Sequence, residues 1–205
     1  MCAVYALRRS PNIVIRKYKA GIVKIIGRKL AGTFEIILEP KRDQRGFFMR
    51  TYDREIMAQH GLDRPWVQEN HSRSVSKFAI RGLHFQLPPY AETKLVRVVR
   101  GAVWDVFVDL RKNSATYGQW DALELTEDNF KYIYIPRGFA HGFCTLTDTC
   151  DLLYKVDSPY SPSFERGLLW NDPDLAISWP TDSPVVSEKD QKNGLFRNFV
   201  SAFEE

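Results

Sequence analysis

From Thr33 onward the chain breaks into short apolar runs rich in Val, Ile, Phe and Tyr, separated by Gly, Pro, Asn and Asp. A period of two marks a strand with one face against a core. In Val103-Trp104-Asp105-Val106-Phe107-Val108-Asp109, Trp104, Val106 and Val108 share one face while Asp105 and Asp109 share the other. One of these faces is core and the other faces a lumen or an interface. The same reading predicts strands over 33–38, 46–52, 67–72, 79–85, 94–100, 103–109, 119–125, 131–135, 141–145 and 151–156. Only 53–60 and the stretch after Ser187 carry helical signals. So many short strands with so little helix predict an all-β fold, a jelly roll or similar closed sandwich, ending in a short C-terminal helical segment. No repeat or low-complexity segment interrupts it.

Length sharpens the picture: 205 residues, 44% of them hydrophobic, suffice for one good core and argue for a single domain. The formal charge of +4 conceals an asymmetry. Residues 1–30 hold eight Lys or Arg and no acid, which leaves 21 cations against 25 acids in the rest. The expected division is a basic, loosely attached N-terminal extension over 1–30 and one domain over 31–205. The extension is partly amphipathic and could touch an anionic surface, but no later basic and aromatic strand pattern supports nucleic-acid binding. Cys2, Cys144 and Cys150 are odd in number and lack C-x-x-C spacing, so neither a disulfide framework nor a zinc site is expected. No stretch reaches the ~18 apolar residues of a membrane helix, and no long apolar core marks a signal peptide. The expected location is the cytoplasm, and Asn70-His71-Ser72 is then a chance sequon.

Candidate chemistry centres on two segments, Gly82-Leu83-His84-Phe85-Gln86 and Pro136-Arg137-Gly138-Phe139-Ala140-His141. Together they resemble the two halves of a cupin barrel motif. A metal-binding cupin needs a His-x-His pair on one strand, a carboxylate and a distant third His. Here Gln86 replaces the second His, and Glu92 lies too far along for a same-strand ligand. No metal and no cofactor are expected, and the imidazoles are left for proton transfer. Arg81 and Lys94 flank this strand and the next, and buried cations imply an anionic ligand to meet them.

Further motifs follow in order: Asp43-x-Arg45-Gly46-Phe47-Phe48, 67–74, 81–89, 94–101, 136–143, Leu153-Tyr154-Lys155, Asn171-Asp172-Pro173 and Ser187-Glu188-Lys189-Asp190. From about Gly32 to about Asp190 the chain closely resembles the dTDP-4-dehydrorhamnose 3,5-epimerase family. The resemblance implies a metal-free, homodimeric cupin-type jelly roll that epimerises a nucleotide-linked 4-keto-6-deoxy sugar. It implies His84 as the base, Asp190 as the carboxylate that orients it, Lys94 near the developing enolate and Tyr154 as the acid on the opposite face. It also implies that Tyr160 stacks on the nucleotide base, and that Arg45, Gln68, Asn70, Arg81, His141, Glu165 and Lys189 contact the nucleotide diphosphate or sugar. His60 and His71 carry no role.

One departure stands out: the family often reads Gly-Phe-Phe-x-Glu, and here Arg50 occupies the Glu position, an expected charge reversal in the nucleotide pocket. Two further readings share these residues. A mono-epimerase acting at C3 or C5 alone would use the same base and acid. A non-catalytic sugar- or nucleotide-binding cupin would need neither Tyr154 nor Asp190. A metal-dependent oxygenase is the weakest alternative.

Overall fold

The structure, a computed structural model, describes residues 13–18 and 21–204. Its strands form two large sheets. The first strands are β1 (Ile13–Tyr18), β2 (Gly21–Gly27) and β3 (Phe34–Ile37), followed by a short hairpin of β4 (Lys41–Asp43) and β5 (Gly46–Phe48) and a helix α1 (Arg54–Gln59). Then come β6 (Gln68–Ser74), β7 (Ala79–Gln86), β8 (Lys94–Arg100), β9 (Ala102–Asp109) and β10 (Trp120–Thr126). Next are β11 (Lys131–Ile135), β12 (Phe139–Thr145), β13 (Cys150–Val156), β14 (Glu165–Gly167), β15 (Val185–Val186) and a four-residue helix α2 (Glu188–Gln191). One sheet has seven strands in the order β1-β2-β3-β11-β8-β13-β6; the other has six, with β15 joining β7 beside the run β10-β9-β12-β7-β14. All pairings are antiparallel except β15 with β7.

Three apolar layers hold this jelly roll together. Val96, Val98, Val103, Phe107, Ile133, Phe139, Phe143 and Leu152 pack inside the barrel. Outside the six-stranded sheet, Leu83, Phe85, Val106, Val108, Leu110 and Phe203 form a second layer under the C-terminal tail. Outside the seven-stranded sheet, Ile25, Ile36, Leu95, Tyr132 and Tyr134 pack with Met57 of α1. Both faces of β9 are therefore core: Val106 and Val108 point outward, while Val103, Asp105 and Phe107 are fully buried on the inner side.

The expected strands all occur, with ends moved by one or two residues, except over 46–52. There β5 stops at Phe48 and the hairpin it forms with β4 lies outside both large sheets. α1 begins after Asp53, whose carboxylate accepts from the backbone N–H of Glu55 and Ile56, the arrangement that ends orphaned donors at a helix start. The segment expected to be loosely attached contributes β1 and β2 to the seven-stranded sheet. Val23 and Ile25 face the outer apolar layer, β2 pairs β3 with Ile25 opposite Ile36, and Arg28 bridges Glu35 and Asp121. Strand pairing thus continues across the boundary expected at residue 30.

Candidate active site

A cavity of about 530 Å³ opens between the two sheets. From the six-stranded sheet Arg81 and His84 of β7 and His141 and Phe143 of β12 line it. Lys94 of β8, Leu152 and Tyr154 of β13 and Ser72 of β6 line it from the seven-stranded sheet. A third wall is the segment carrying Val185, Val186, Ser187, Lys189 and Asp190.

Simple alternation would send Arg81 and His84, three residues apart, to opposite faces. An irregularity in the pairing of β7 with β12 brings them together. His84 lies opposite His141 and Arg81 opposite Phe143, so β7 spends one more residue than β12 over the same span. The extra residue falls where Gly82 passes Gly142. A Cβ on Gly82 would lie 2.7 Å from both Gly142 Cα and the His141 carbonyl oxygen, and its φ of +121° also demands glycine. Two glycines thus permit the bulge that aims both Arg81 and His84 inward.

His84 is held by Asp190. Its Nε2–H donates to Asp190 Oδ1 at 2.7 Å, while Oδ2 accepts the Gly82 N–H at 3.1 Å. Because a carboxylate can only accept, the ring proton sits on Nε2 and Nδ1 keeps its lone pair for the cavity. Asp190 is 3% exposed, and burial alone would raise its carboxyl; the hydrogen bonds from His84 and from the Gly82 N–H, with the Lys189 ammonium nearby, outweigh it and hold the group below the ordinary carboxylate range. Its backbone is fixed too, since Ser187 Oγ accepts the Asp190 N–H and caps α2. Across the cavity, Tyr154 lies beside Val96 in the pairing of β13 with β8, and Lys94 beside Val156. Lys94 is nearly buried and pairs with Glu92 at 3.1 Å.

The remaining expected contacts divide into three groups. Arg81, His141 and Lys189 line the cavity. Glu165, Tyr160, Gln68 and Asn70 form a hydrogen-bonded rim that runs from Lys189. Lys189 Nζ donates to Glu165 Oε2 at 2.7 Å, the Tyr160 hydroxyl to the same oxygen at 2.9 Å, the Tyr160 N–H to Gln68 Oε1 at 3.2 Å, and Gln68 Nε2 to Asn70 Oδ1 at 2.9 Å. Burial pushes the Glu165 carboxyl up, but Lys189 and Tyr160 overcome it and leave it depressed. Tyr160 itself is an exposed aromatic. Arg45 forms the third group: it sits on the exposed β4–β5 hairpin, paired with Asp43 at 2.6 Å, and is not brought to this cavity. Nor is Arg50, expected in the nucleotide pocket. It pairs with Asp53 at 2.6 Å beside a small apolar cavity on the outer face of the seven-stranded sheet.

Two carboxylates escaped the sequence reading. Asp105, fully buried, contacts His141 Nε2 through both oxygens, at 3.0 and 2.9 Å, giving the cavity a second His–carboxylate pair. The available signal was an acid sharing the inner face of β9 with Val103 and Phe107, where a charge needs a partner. Glu92, dismissed as a ligand, is the partner of Lys94. Among the described residues no group of three or more His, Cys, Asp or Glu could hold a metal ion.

The arrangement offers an imidazole backed by a carboxylate, with a phenol and an ammonium on the wall opposite the imidazole. Such a site can remove a proton from one face of a flat substrate and return one to the other. The comparisons agree with this chemistry. A dTDP-4-dehydrorhamnose 3,5-epimerase from Shigella flexneri is 47% identical over 158 residues, covering 76% of this chain and 87% of the relative. The solved dTDP-4-dehydrorhamnose 3,5-epimerase of Bacillus anthracis, with TDP and PPi bound, matches with a TM-score of 0.83 at 43% identity, covering 84% of this chain and 99% of its own. The dTDP-6-deoxy-D-glucose-3,5-epimerase of Legionella pneumophila, in complex with dTDP-4-keto-L-rhamnose, matches with a TM-score of 0.83 at 36% identity, covering 87% and 95%. The family model for dTDP-4-dehydrorhamnose 3,5-epimerase spans residues 28–198, and the chain belongs to that family.

Proposed function

We propose that this protein epimerises a dTDP-linked 4-keto-6-deoxy sugar at C3 and C5, the conversion of dTDP-4-keto-6-deoxy-D-glucose to dTDP-4-keto-L-rhamnose. The observation that carries this reading is the placement of His84, held by Asp190 of α2, on one sheet and of Tyr154 with Lys94 on the other, facing one cavity. The C4 ketone acidifies the protons on C3 and C5. His84 Nδ1 takes one of them, and the electron pair moves into the ring to give an enolate whose O4 is met by the Lys94 ammonium. Tyr154 then gives its phenolic proton to the opposite face of the same carbon, inverting it. A phenol suits that step because it stays protonated near neutral pH, with an ordinary pKa of ~10, yet can protonate a carbanion. Solvent exchange returns the imidazolium and phenolate to their starting states, and the cycle repeats at the second carbon.

Arg81 and Lys189 supply cations for the diphosphate, and the exposed ring of Tyr160 a surface for the base. The solved relative with TDP bound supports a thymidine nucleotide. The catalytic machinery lies within residues 31–205, and the basic segment before it takes no part in the chemistry.

The protein acts as a homodimer in the cytoplasm. In support, the β4–β5 hairpin exposes Phe47 (53%), Phe48 (72%) and Arg45 on a feature that belongs to neither large sheet, as a surface awaiting a second copy would. Arg45 would then serve the partner's site. No helix among the described residues is long and apolar enough to cross a membrane, and Cys144 and Cys150 are free and buried.

The test is to incubate the purified protein with dTDP-4-keto-6-deoxy-D-glucose in deuterated water and follow the C3 and C5 protons by NMR. Loss of both signals, with ring couplings changing to those of the L-sugar, is expected. Loss of one alone would select a mono-epimerase, and retention of both under saturating substrate would overturn the catalytic reading.

A further inference from the structure

Gln86 stands where a metal-binding barrel would carry its second His, and the fold brings it into contact with Glu92, which lies too far along to be a ligand of that set. The Gln86 side chain is 3% exposed and fully engaged. The two N–H groups of its Nε2 are shared among three acceptors, the carbonyls of Tyr90 at 3.1 Å and Pro159 at 3.2 Å and Glu92 Oε2 at 3.1 Å, while its Oε1 accepts the Ser161 N–H at 2.6 Å. The other oxygen of Glu92, Oε1, lies 3.1 Å from Lys94 Nζ, and the two side chains are only 13% and 10% exposed. Lys94 lines the cavity; Glu92 stands behind it and does not.

We infer that Glu92 is a positioning residue for the epimerisation, fixing the Lys94 ammonium at the cavity wall and tying it, through Gln86, to the strand that carries His84. The inference rests on the epimerase reading of the cavity.

Lysine ends in a point charge on a flexible four-carbon stem and has no rigid fork to orient it. Held by nothing but solvent, such an ammonium would sample many positions along the wall. One of its three N–H donors is directed to Glu92, which leaves two for the enolate oxygen. The pair is mutually dependent, because either charge left alone in so little solvent would be costly. Glu92 is in turn held by Gln86, on the same strand as His84 and two residues along. The distance between base and oxyanion donor is therefore set by side chains joined in series across the gap between the sheets. A displacement of about 1 Å at a reacting group can cost ~100-fold in rate.

Glu92→Gln is the discriminating variant. It preserves side-chain size and a carbonyl oxygen that can accept from Gln86, but leaves Lys94 without its anion. The expected result is a kcat lower by about 100-fold with KM changed by less than about threefold, since the contact acts on the enolate rather than on the nucleotide. Combined with Lys94→Met, the double variant should be no slower than Lys94→Met alone, because Glu92 acts through Lys94. Losses that multiply in the double variant would overturn the inference, as would a Glu92→Gln enzyme with wild-type kcat. Should Glu92→Gln fail to fold, Glu92→Asp keeps the charge and shortens the reach by one methylene; lowered kcat at unchanged KM supports the inference and wild-type kcat overturns it. A wild-type protein that exchanges neither the C3 nor the C5 proton would overturn the epimerase reading together with this one, whereas multiplied losses in an active enzyme would overturn this one alone.

Discussion

Asp190→Asn probes the His84–Asp190 pair with a near-isosteric change. The carboxylate, 3% exposed, holds two donors at once: His84 Nε2–H at 2.7 Å and the Gly82 N–H at 3.1 Å. Asparagine has one oxygen for these two donors. If the oxygen stays on His84, the Gly82 N–H faces an NH2 group, and a buried donor without an acceptor costs about 1–3 kcal/mol of stability. If the NH2 turns to His84 instead, Nε2 must accept, the ring proton moves to Nδ1, and the nitrogen left for the substrate has no lone pair. Either outcome also removes the negative charge that stabilises the imidazolium formed on proton removal. General-base catalysis typically contributes ~100- to 10,000-fold, so a loss of about 1,000-fold in kcat is expected. At about 1.4 kcal/mol per decade this is about 4 kcal/mol of transition-state stabilisation. KM should change by less than about threefold, because the carboxylate touches the base rather than the nucleotide. Steady-state kinetics on dTDP-4-keto-6-deoxy-D-glucose, with urea unfolding as a control for folding, provides the measurement. A folded variant retaining kcat within tenfold of wild type would refute the assignment of His84 as the base oriented by Asp190.

Two further outcomes follow from the geometry. Gly82→Ala places a Cβ 2.7 Å from Gly142 Cα and the His141 carbonyl at a φ of +121°, so it should lose about 2–4 kcal/mol of stability in urea unfolding; a change under about 0.5 kcal/mol would contradict the close approach. Asp151 is drawn down to about 2 chiefly by its hydrogen bonds to Arg73, with His71 adding to this and burial opposing it. A depressed folded-state pKa stabilises above the unfolded value of ~3.9 and is lost as pH falls through the folded one. The stability gap between wild type and Asp151→Asn should therefore hold steady above about pH 5 and close between about pH 4 and pH 2, and a gap that does not depend on pH would contradict it.

Much of the architecture is legible in the sequence because alternation reports burial directly. β9 is the clear case, with Val106 and Val108 on one face and Val103 and Phe107 on the other. What alternation misses is the extra residue that brings Arg81 and His84 to one side, since a bulge breaks the period it depends on. It also conceals Asp190, which looks like one more charge in a polar tail until the parallel pairing of β15 with β7 and the cap from Ser187 set it beside His84. Ordered motifs, rather than local physics, are what assign these residues to a site in the sequence. Asp105 meets His141, 36 residues away, only through the pairing of β9 with β12, and Glu92 meets Lys94 two residues on, a contact that alternation does not report. In residues 1–30 the basic charge overshadows Val23 and Ile25, which pack in the outer apolar layer. Arg45 and Arg50 mark the limit of transferring positions along one chain, as the fold sets both outside the cavity that holds the other assigned groups.

The central claim is that His84 and Tyr154 work on opposite faces of one bound sugar. The direct test is Tyr154→Phe with dTDP-4-keto-6-deoxy-D-glucose in deuterated water, following deuterium uptake and configuration separately. The account predicts that deuterium still enters C3 or C5 of the unepimerised substrate, because His84 can remove and return a proton on its own face, while inverted product falls by at least about 100-fold. Inverted product at the wild-type rate would contradict it, since the proton on the far face would then come from a group other than Tyr154.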